Sequence, residues 1–259
     1  MGHALAPFLY ADQIMPKQEK TMGVRQAVRN KAKGLITETW QSQANLSLFL
    51  LLEVLIAFIL PSLGFGKKDI QLYSDIGFTI LLISGVAIAW GQWKLFVPTS
   101  VVAGAAMIVR WFEWYHHTQR MLLWSDWTTL VAVAMIALVL LSQIFRPGRM
   151  SHLRIQGAIA VYLLFGVIWA HAYHIVAILQ PGSFHGPIEE LTNLSGWAYY
   201  SYVTLTTVGY GDITPVSQVA RTLSIAEALT GQLYLAVLIA RLVAMEIVFW
   251  QQKVQNGEY

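Results

Sequence analysis

The sequence predicts an all-α integral membrane protein with six transmembrane helices plus a re-entrant pore helix. Three observations predict it. Charged residues make up 12% of the 259 residues and hydrophobic residues 56%, whereas a soluble chain carries about 25% charged residues. Six apolar stretches approach the length of about 20 residues that a membrane-spanning helix requires. Lys and Arg gather in some connections between these stretches and avoid others. The shortage of charge excludes soluble enzymes and disordered proteins, which need it to stay solvated. With no Cys in the chain, disulfides, iron–sulfur clusters and thiolate zinc sites are excluded.

The first stretch covers residues 46–60 and ends at Pro61; the second covers 76–93. The third, 96–115, is the weakest, because Arg110 and Glu113 lie inside it. The fourth, 122–145, holds Asp126 near its start and no other charge, and stops at Arg146-Pro147-Gly148, a helix-ending combination. The fifth, 155–179, is closed by Pro181-Gly182, and the sixth, 216–249, is long enough to project beyond the bilayer. Trp90, Trp93, Trp111, Trp114, Tyr115, Trp124, Trp127 and Trp250 mark the ends of these stretches, as interfacial aromatic belts do.

Orientation follows from the basic residues. Lys17, Lys20, Arg25, Arg29, Lys31 and Lys33 precede the first stretch, and Arg146, Arg149 and Arg154 join the fourth to the fifth. The connection between the fifth and sixth carries neither Lys nor Arg. The positive-inside rule therefore puts both termini in the cytoplasm and this last connection outside; the expected location is the cell (plasma) membrane. No apolar run follows a basic start at the N-terminus, so no secretory leader is expected.

That outer connection holds the most informative segment. Residues 195–205 are moderately apolar but too short to span, which suits a re-entrant helix. They lead into Thr206-Thr207-Val208-Gly209-Tyr210-Gly211-Asp212. Gly209 and Gly211 open backbone conformations closed to other residues, so that successive carbonyls can face one axis.

Thr207-Val208-Gly209-Tyr210-Gly211 resembles the selectivity filter of potassium channels in the tetrameric pore-loop cation channel superfamily. The context agrees: a short helix before the filter, Asp212 after it, Pro215 where the inner helix should begin, and Gly231, 22 residues beyond Gly209, at the family's gating-hinge spacing. The resemblance covers roughly residues 155–250. It implies a homotetramer, in which this chain and three further copies surround one axis. Rings of oxygen from Thr207, Val208, Gly209 and Tyr210 would there replace the hydration shell of K⁺. It implies no other cofactor and no enzymatic activity. Thr206, Asp212, Tyr199 and Tyr200 would support the filter. One departure is Val203, which occupies a pore-helix position where some bacterial channels carry an acid that controls inactivation.

The implied organisation is a cytoplasmic N-terminal segment over 1–44, a four-helix sensor-like bundle over 45–146, a pore domain over 147–250 and a short cytoplasmic tail over 251–259. Residues 21–40 can form a basic amphipathic helix, read either as a contact to anionic inner-leaflet lipid or as a solvated leader. Gly231 is open to two readings, a gating hinge or a close-packing position between helices. Ionisable residues inside a membrane are costly and therefore paired or functional. Arg110 can pair with Glu53 or, at i, i+3, with Glu113; Glu227 can face the pore helix or a neighbouring helix, and Arg241 can line the inner mouth or snorkel. His171 or His174 raises a pH-sensitive pore, and the four histidines His116, His117, His171 and His174 raise, in a different class, a haem- or metal-dependent membrane oxidoreductase. A non-selective cation channel is the nearer alternative. The short connection 146–153 favours a bundle that packs on the pore helices of its own chain.

Each charge crossing the field contributes about 2.3 kcal/mol per 100 mV, and residues 122–145 contain no Arg or Lys. The conductance–voltage relation of the reconstituted protein should therefore be shallow. A steep sigmoid requiring several gating charges per subunit would overturn this expectation.

Overall fold

The computed structural model describes residues 48–55, 67–89, 93–113, 118–145, 152–187, 191 and 194–255, all of them within the unit Asn45–Tyr259. The proposed amphipathic helix, His116, His117 and most of the connection 146–153 lie outside these residues. Residues 48–54, part of the first expected span, are helical. There follow α1 (Lys67–Ala89), α2 (Trp93–Glu113), α3 (Gln119–Ile144), α4 (His152–Leu179), β1 (Phe184–His185), α5 (Leu194–Leu205), β2 (Thr214–Pro215) and α6 (Gln218–Gln255).

Among the described residues four helical stretches are long and apolar enough to cross a membrane: Leu95–Glu113, Gln119–Ile144, Arg154–Leu179 and Gln218–Met245. This is a multi-pass membrane protein. The second expected span is redrawn. Its helix starts earlier, at Lys67, and its apolar part is the shorter Ile76–Ala89. The last helix, α6, continues to Gln255. Trp111, Trp124, Trp127 and Trp250 are exposed on the chain, as belt residues must be.

The core of the first helices is built where small residues let helices approach. A Cβ on Gly85 of α1 would fall 2.6 Å from the Ile136 side chain of α3. Phe78, Leu81 and Leu82 of α1, Ala103 and Ala106 of α2, Ile136 and Leu140 of α3 and Leu164 of α4 close into one buried cluster. The α3 helix thus packs along α4 of its own chain, as the short connection suggested. At its C-terminus, the Phe145 carbonyl accepts a 2.6 Å hydrogen bond from the Arg241 guanidinium of α6, which also covers the Phe145 ring at 4.4 Å. A cation suits this end, where helix carbonyls are unpaired and the dipole is negative. Arg241 is therefore committed to α3.

A second cluster is largely aromatic and lies around α5. Phe184 of β1 wedges between Trp197 (4.9 Å, edge-on), Tyr200 (5.6 Å) and Tyr173 (5.7 Å). Such edge-to-face pairs each add about 0.5–1.5 kcal/mol beyond burial. The β1 and β2 strands pair antiparallel, with Phe184 opposite Pro215 and His185 opposite Thr214. This small ladder, absent from the all-α expectation, joins the chain before α5 to the chain after the loop. Ser183 extends it by accepting from Val216 N (2.8 Å) and Ser217 N (3.2 Å).

The α5 helix has 12 residues, about 18 Å at 1.5 Å per residue, so it enters the membrane without crossing it. It lies on α4 at Gly166, where a Cβ would meet the Tyr202 ring at 2.2 Å. The Tyr202 hydroxyl is pinned to the Leu163 carbonyl at 2.9 Å, so the ring cannot retreat. Gly166→Ala should cost about 1–3 kcal/mol as an overpacked site and lower the thermal unfolding midpoint in detergent. An unchanged midpoint would mean that α5 has room to shift.

Candidate functional site: the pore loop

Helix α5 ends where its side chains begin to compete for backbone. The Thr206 hydroxyl donates to the Tyr202 carbonyl at 2.6 Å. Three successive amides then fold back onto the last turn: Thr207 N to Thr204 O (2.9 Å), Val208 N to Val203 O (3.0 Å) and Gly209 N to Val203 O (3.4 Å). The loop is thus anchored through its amides. Among the described residues the carbonyls of 207–211 accept no backbone hydrogen bond.

Positive φ recurs at every second position: Thr207 at 59°, Gly209 at 58° and Gly211 at 81°. Alternation of hand turns successive peptide units to the same side, gathering amides on one face and therefore carbonyls on the other. Glycine adopts the left-handed region without penalty. Thr207 does not, because a left-handed L-residue costs about 1–2 kcal/mol. Such a conformation persists where its surroundings over-determine it, as the hydrogen bonds of Thr206, Thr207 and Val208 do here. The side chains of Val208 and Tyr210 are 53% and 71% exposed on the single chain. Both are large groups that their own chain covers only in part, Tyr210 through the Tyr199 ring.

The outer end is closed by Asp212. Its Oδ2 accepts from the Tyr199 hydroxyl at 2.6 Å and its Oδ1 from the Ile213 amide at 3.0 Å. The Tyr199 ring lies parallel to that of Tyr210, with centroids 6.5 Å apart. The Tyr199 hydroxyl beside it holds the Asp212 carboxyl below the usual carboxylate range, and the Ile213 amide adds to the effect. Tyr200 turns the other way, into the aromatic cluster, and its hydroxyl shares a 2.7 Å bond with Ser224 of α6.

Behind the loop the three pore helices meet at Glu227. This α6 residue is fully buried. It accepts from the Tyr173 hydroxyl of α4 and lies 2.5 Å from the Ser201 hydroxyl of α5. Gly231, one turn further along α6, faces the C-terminus of α5 so closely that a Cβ would lie 2.2 Å from the Leu205 carbonyl oxygen. Here Gly231 is a packing position, and α6 runs through it unbroken.

The remaining sequence-predicted residues lie elsewhere. His171 and His174 share the Asp126 carboxylate, with Nδ1 to Oδ distances of 2.8 Å each. Asp126 stands on α3, so this contact joins the first helices to the pore helices. The Glu53–Arg110 pair does not form. Both Glu53 carboxylate oxygens are buried without a hydrogen-bond partner among the described residues. The Arg110 guanidinium lies instead over the Phe78 ring at 4.8 Å, whose π-face attracts it. Sequence reasoning missed Asp126, Tyr173 and Ser201. A lone carboxylate in an otherwise uncharged span was the available signal for Asp126. No spacing rule links Tyr173 or Ser201 to Glu227.

Residues 158–247 match the family model described as "Ion channel". Over these residues the chain is similar to ion channels. The chain is also similar to Protein LctB of Geobacillus stearothermophilus, 37% identical over 81 residues, which are 31% of this chain and 58% of that protein. Protein LctB of Bacillus caldotenax is 40% identical over 67 residues, 26% of this chain and 49% of that protein. The chain thus spans about half the length of the curated relatives it matches. No solved structure matches it. The matched region of the family model begins in α4 and ends in α6, and so contains the whole loop and the contacts that hold it.

A carboxyl with lowered pKa contributes above its ordinary pKa and loses that contribution as the pH falls through the lowered value. Tyr199→Phe should accordingly move the Asp212 titration, followed by NMR of a labelled carboxyl carbon, up toward about 3.9. An unmoved titration would assign the lowered value to the Ile213 amide alone.

Proposed function

We infer that this channel passes K⁺ selectively and passively through a homotetramer of the chain. The observation that carries this reading is the alternation of backbone hand at Thr207, Gly209 and Gly211 within the Thr-Val-Gly-Tyr-Gly sequence. Four such strands around an axis would stack carbonyl rings, with the Thr207 hydroxyls innermost. K⁺ exchanges its water for these oxygens at little net cost and leaves by repulsion from the next ion.

Two further observations support a closed assembly of identical subunits. Helix α6 buries only 6% of its membrane-length stretch within the chain, against 44% for α3 and for α4. Its Ile225, Leu229, Leu233, Val237 and Ile239 are all exposed. One chain also supplies one strand of the filter, so a symmetric ring of further copies completes the site.

In this reading the helices before α4 form a sensor-like bundle without gating charges. The channel sits in the plasma membrane with both termini in the cytoplasm, and the basic N-terminal segment meets anionic lipid.

The test is flux from K⁺-loaded liposomes into external Na⁺, beside a Gly209→Asp control. Wild type should pass K⁺ and reject Na⁺, while the control should lose at least about tenfold in flux, since a charged side chain enters a position that requires positive φ. Equal passage of Na⁺ would favour the non-selective channel. A monomeric mass in detergent together with silent wild type would overturn the assembly.

A further inference from the structure

The contacts of Glu227 contain more hydrogen-bond distances than the hydroxyls around it can fill. Ser201 Oγ lies 2.7 Å from the Gly166 carbonyl of α4 and 2.5 Å from Glu227 Oε1 of α6. A hydroxyl has one proton, and a carbonyl oxygen can only accept. If Ser201 gives its proton to Gly166, its contact to Glu227 needs a hydrogen from the other side. If it gives the proton to Glu227, its lone pairs face the Gly166 carbonyl at 2.7 Å with nothing between them. The Tyr173 proton is already engaged on the opposite carboxyl oxygen, Oε2.

One assignment satisfies every contact. Glu227 Oε1–H donates to Ser201 Oγ, Ser201 O–H donates to Gly166 O, and Tyr173 O–H donates to Glu227 Oε2. The surroundings agree. The Tyr173 phenol that bonds Glu227 is itself packed among uncharged rings, Trp169, Phe184 and Tyr200. Among the described residues no Lys, Arg or His forms an ion pair with Glu227. A fully buried carboxylate with no cation beside it is strongly disfavoured, whereas a neutral acid with both oxygens bonded is not.

The geometry points to Glu227 as a neutral carboxylic acid that fastens the pore helix between α4 and α6, and so positions the filter. The route to the filter is short. Ser201 precedes Val203 by two residues, and the Val203 carbonyl holds the amides of both Val208 and Gly209. One turn along α6, the Gly231–Leu205 contact allows α5 no slack on that side. Glu227 touches no permeating ion and acts through α5, as a positioning residue. The inference deepens the potassium-channel reading and rests on it for its functional half. Its protonation half stands on the hydrogen-bond geometry alone.

Two measurements on the full-length protein test it. The first is the infrared difference spectrum of wild type minus Glu227→Gln, in H₂O and in D₂O. It should show the C=O stretch of a protonated carboxylic acid, shifted downward in D₂O. Carboxylate bands in its place would overturn the protonation. The second is the K⁺/Na⁺ flux ratio in liposomes. Glu227→Gln should keep it within twofold, because the amide NH₂ donates to Ser201 while the amide oxygen accepts from Tyr173. Glu227→Leu should lower it at least tenfold while the detergent mass stays that of the assembly. A Gln variant as damaged as the Leu variant, or a Leu variant with wild-type ratio, would overturn the positioning role. Should Glu227→Leu fail to assemble, the infrared band and Glu227→Gln decide alone. If wild type itself passes Na⁺ as readily as K⁺, the potassium reading fails, and the infrared band still decides the state of Glu227.

Discussion

Between Thr206 and Asp212 the backbone is neither helix nor strand, and among the described residues the carbonyls of 207–211 accept no backbone hydrogen bond. Hydrocarbon tolerates such a segment only where protein encloses it or water lines it. The surrounding structure answers that constraint from two sides. The amides are held from behind by the last turn of α5, which fixes the hand of each residue. The carbonyls are left on the opposite face, free for a solvent or an ion. The left-handed Thr207 belongs to the same solution, because its unfavourable φ keeps the alternation in phase from the helix end to Gly211.

A helix of 12 residues cannot hold such a loop by its own stability. It is held by neighbours. The Tyr202 hydroxyl on Leu163, the Ser201 hydroxyl on Gly166, the Tyr200–Ser224 bond and the Phe184 wedge tie it to α4, α6 and the β1–β2 ladder. In a low-dielectric interior each satisfied polar contact is stronger than it would be in water, and each orphaned one is more costly. Most of the polar groups around α5 are matched in this way, with the Trp197 indole N–H a buried exception among the described residues, and the contacts of Ser201 bear on the protonation of Glu227.

The first helices and the pore helices of one chain are joined at two levels. Near one end of α3, the Asp126 carboxylate is shared by His171 and His174 of α4. At the other end, Arg241 of α6 caps the α3 carboxyl terminus. A displacement of α3 would disturb both contacts, and through them the helices on either side of the loop 206–212.

Much of this was legible in the sequence. The apolar stretches over α2, α3, α4 and α6 follow from composition and length. The loop follows from two glycines at alternate positions after a helix too short to span. These are local properties, written in consecutive residues. The partners of the ionisable side chains are not local. Glu53 and Arg110 have complementary charge but do not meet among the described residues. Asp126 meets two histidines 45 and 48 residues away, and Glu227 meets Tyr173 and Ser201 from two other helices. The two-residue strands were invisible because pairs so short carry no periodicity. Sequence alone determined the kind of backbone that stands at the centre of this protein, because φ preference and hydropathy belong to single residues and their near neighbours. The tertiary structure alone decided which side chains hold that backbone, because contact between helices depends on their rotation and depth, which no spacing along one chain encodes.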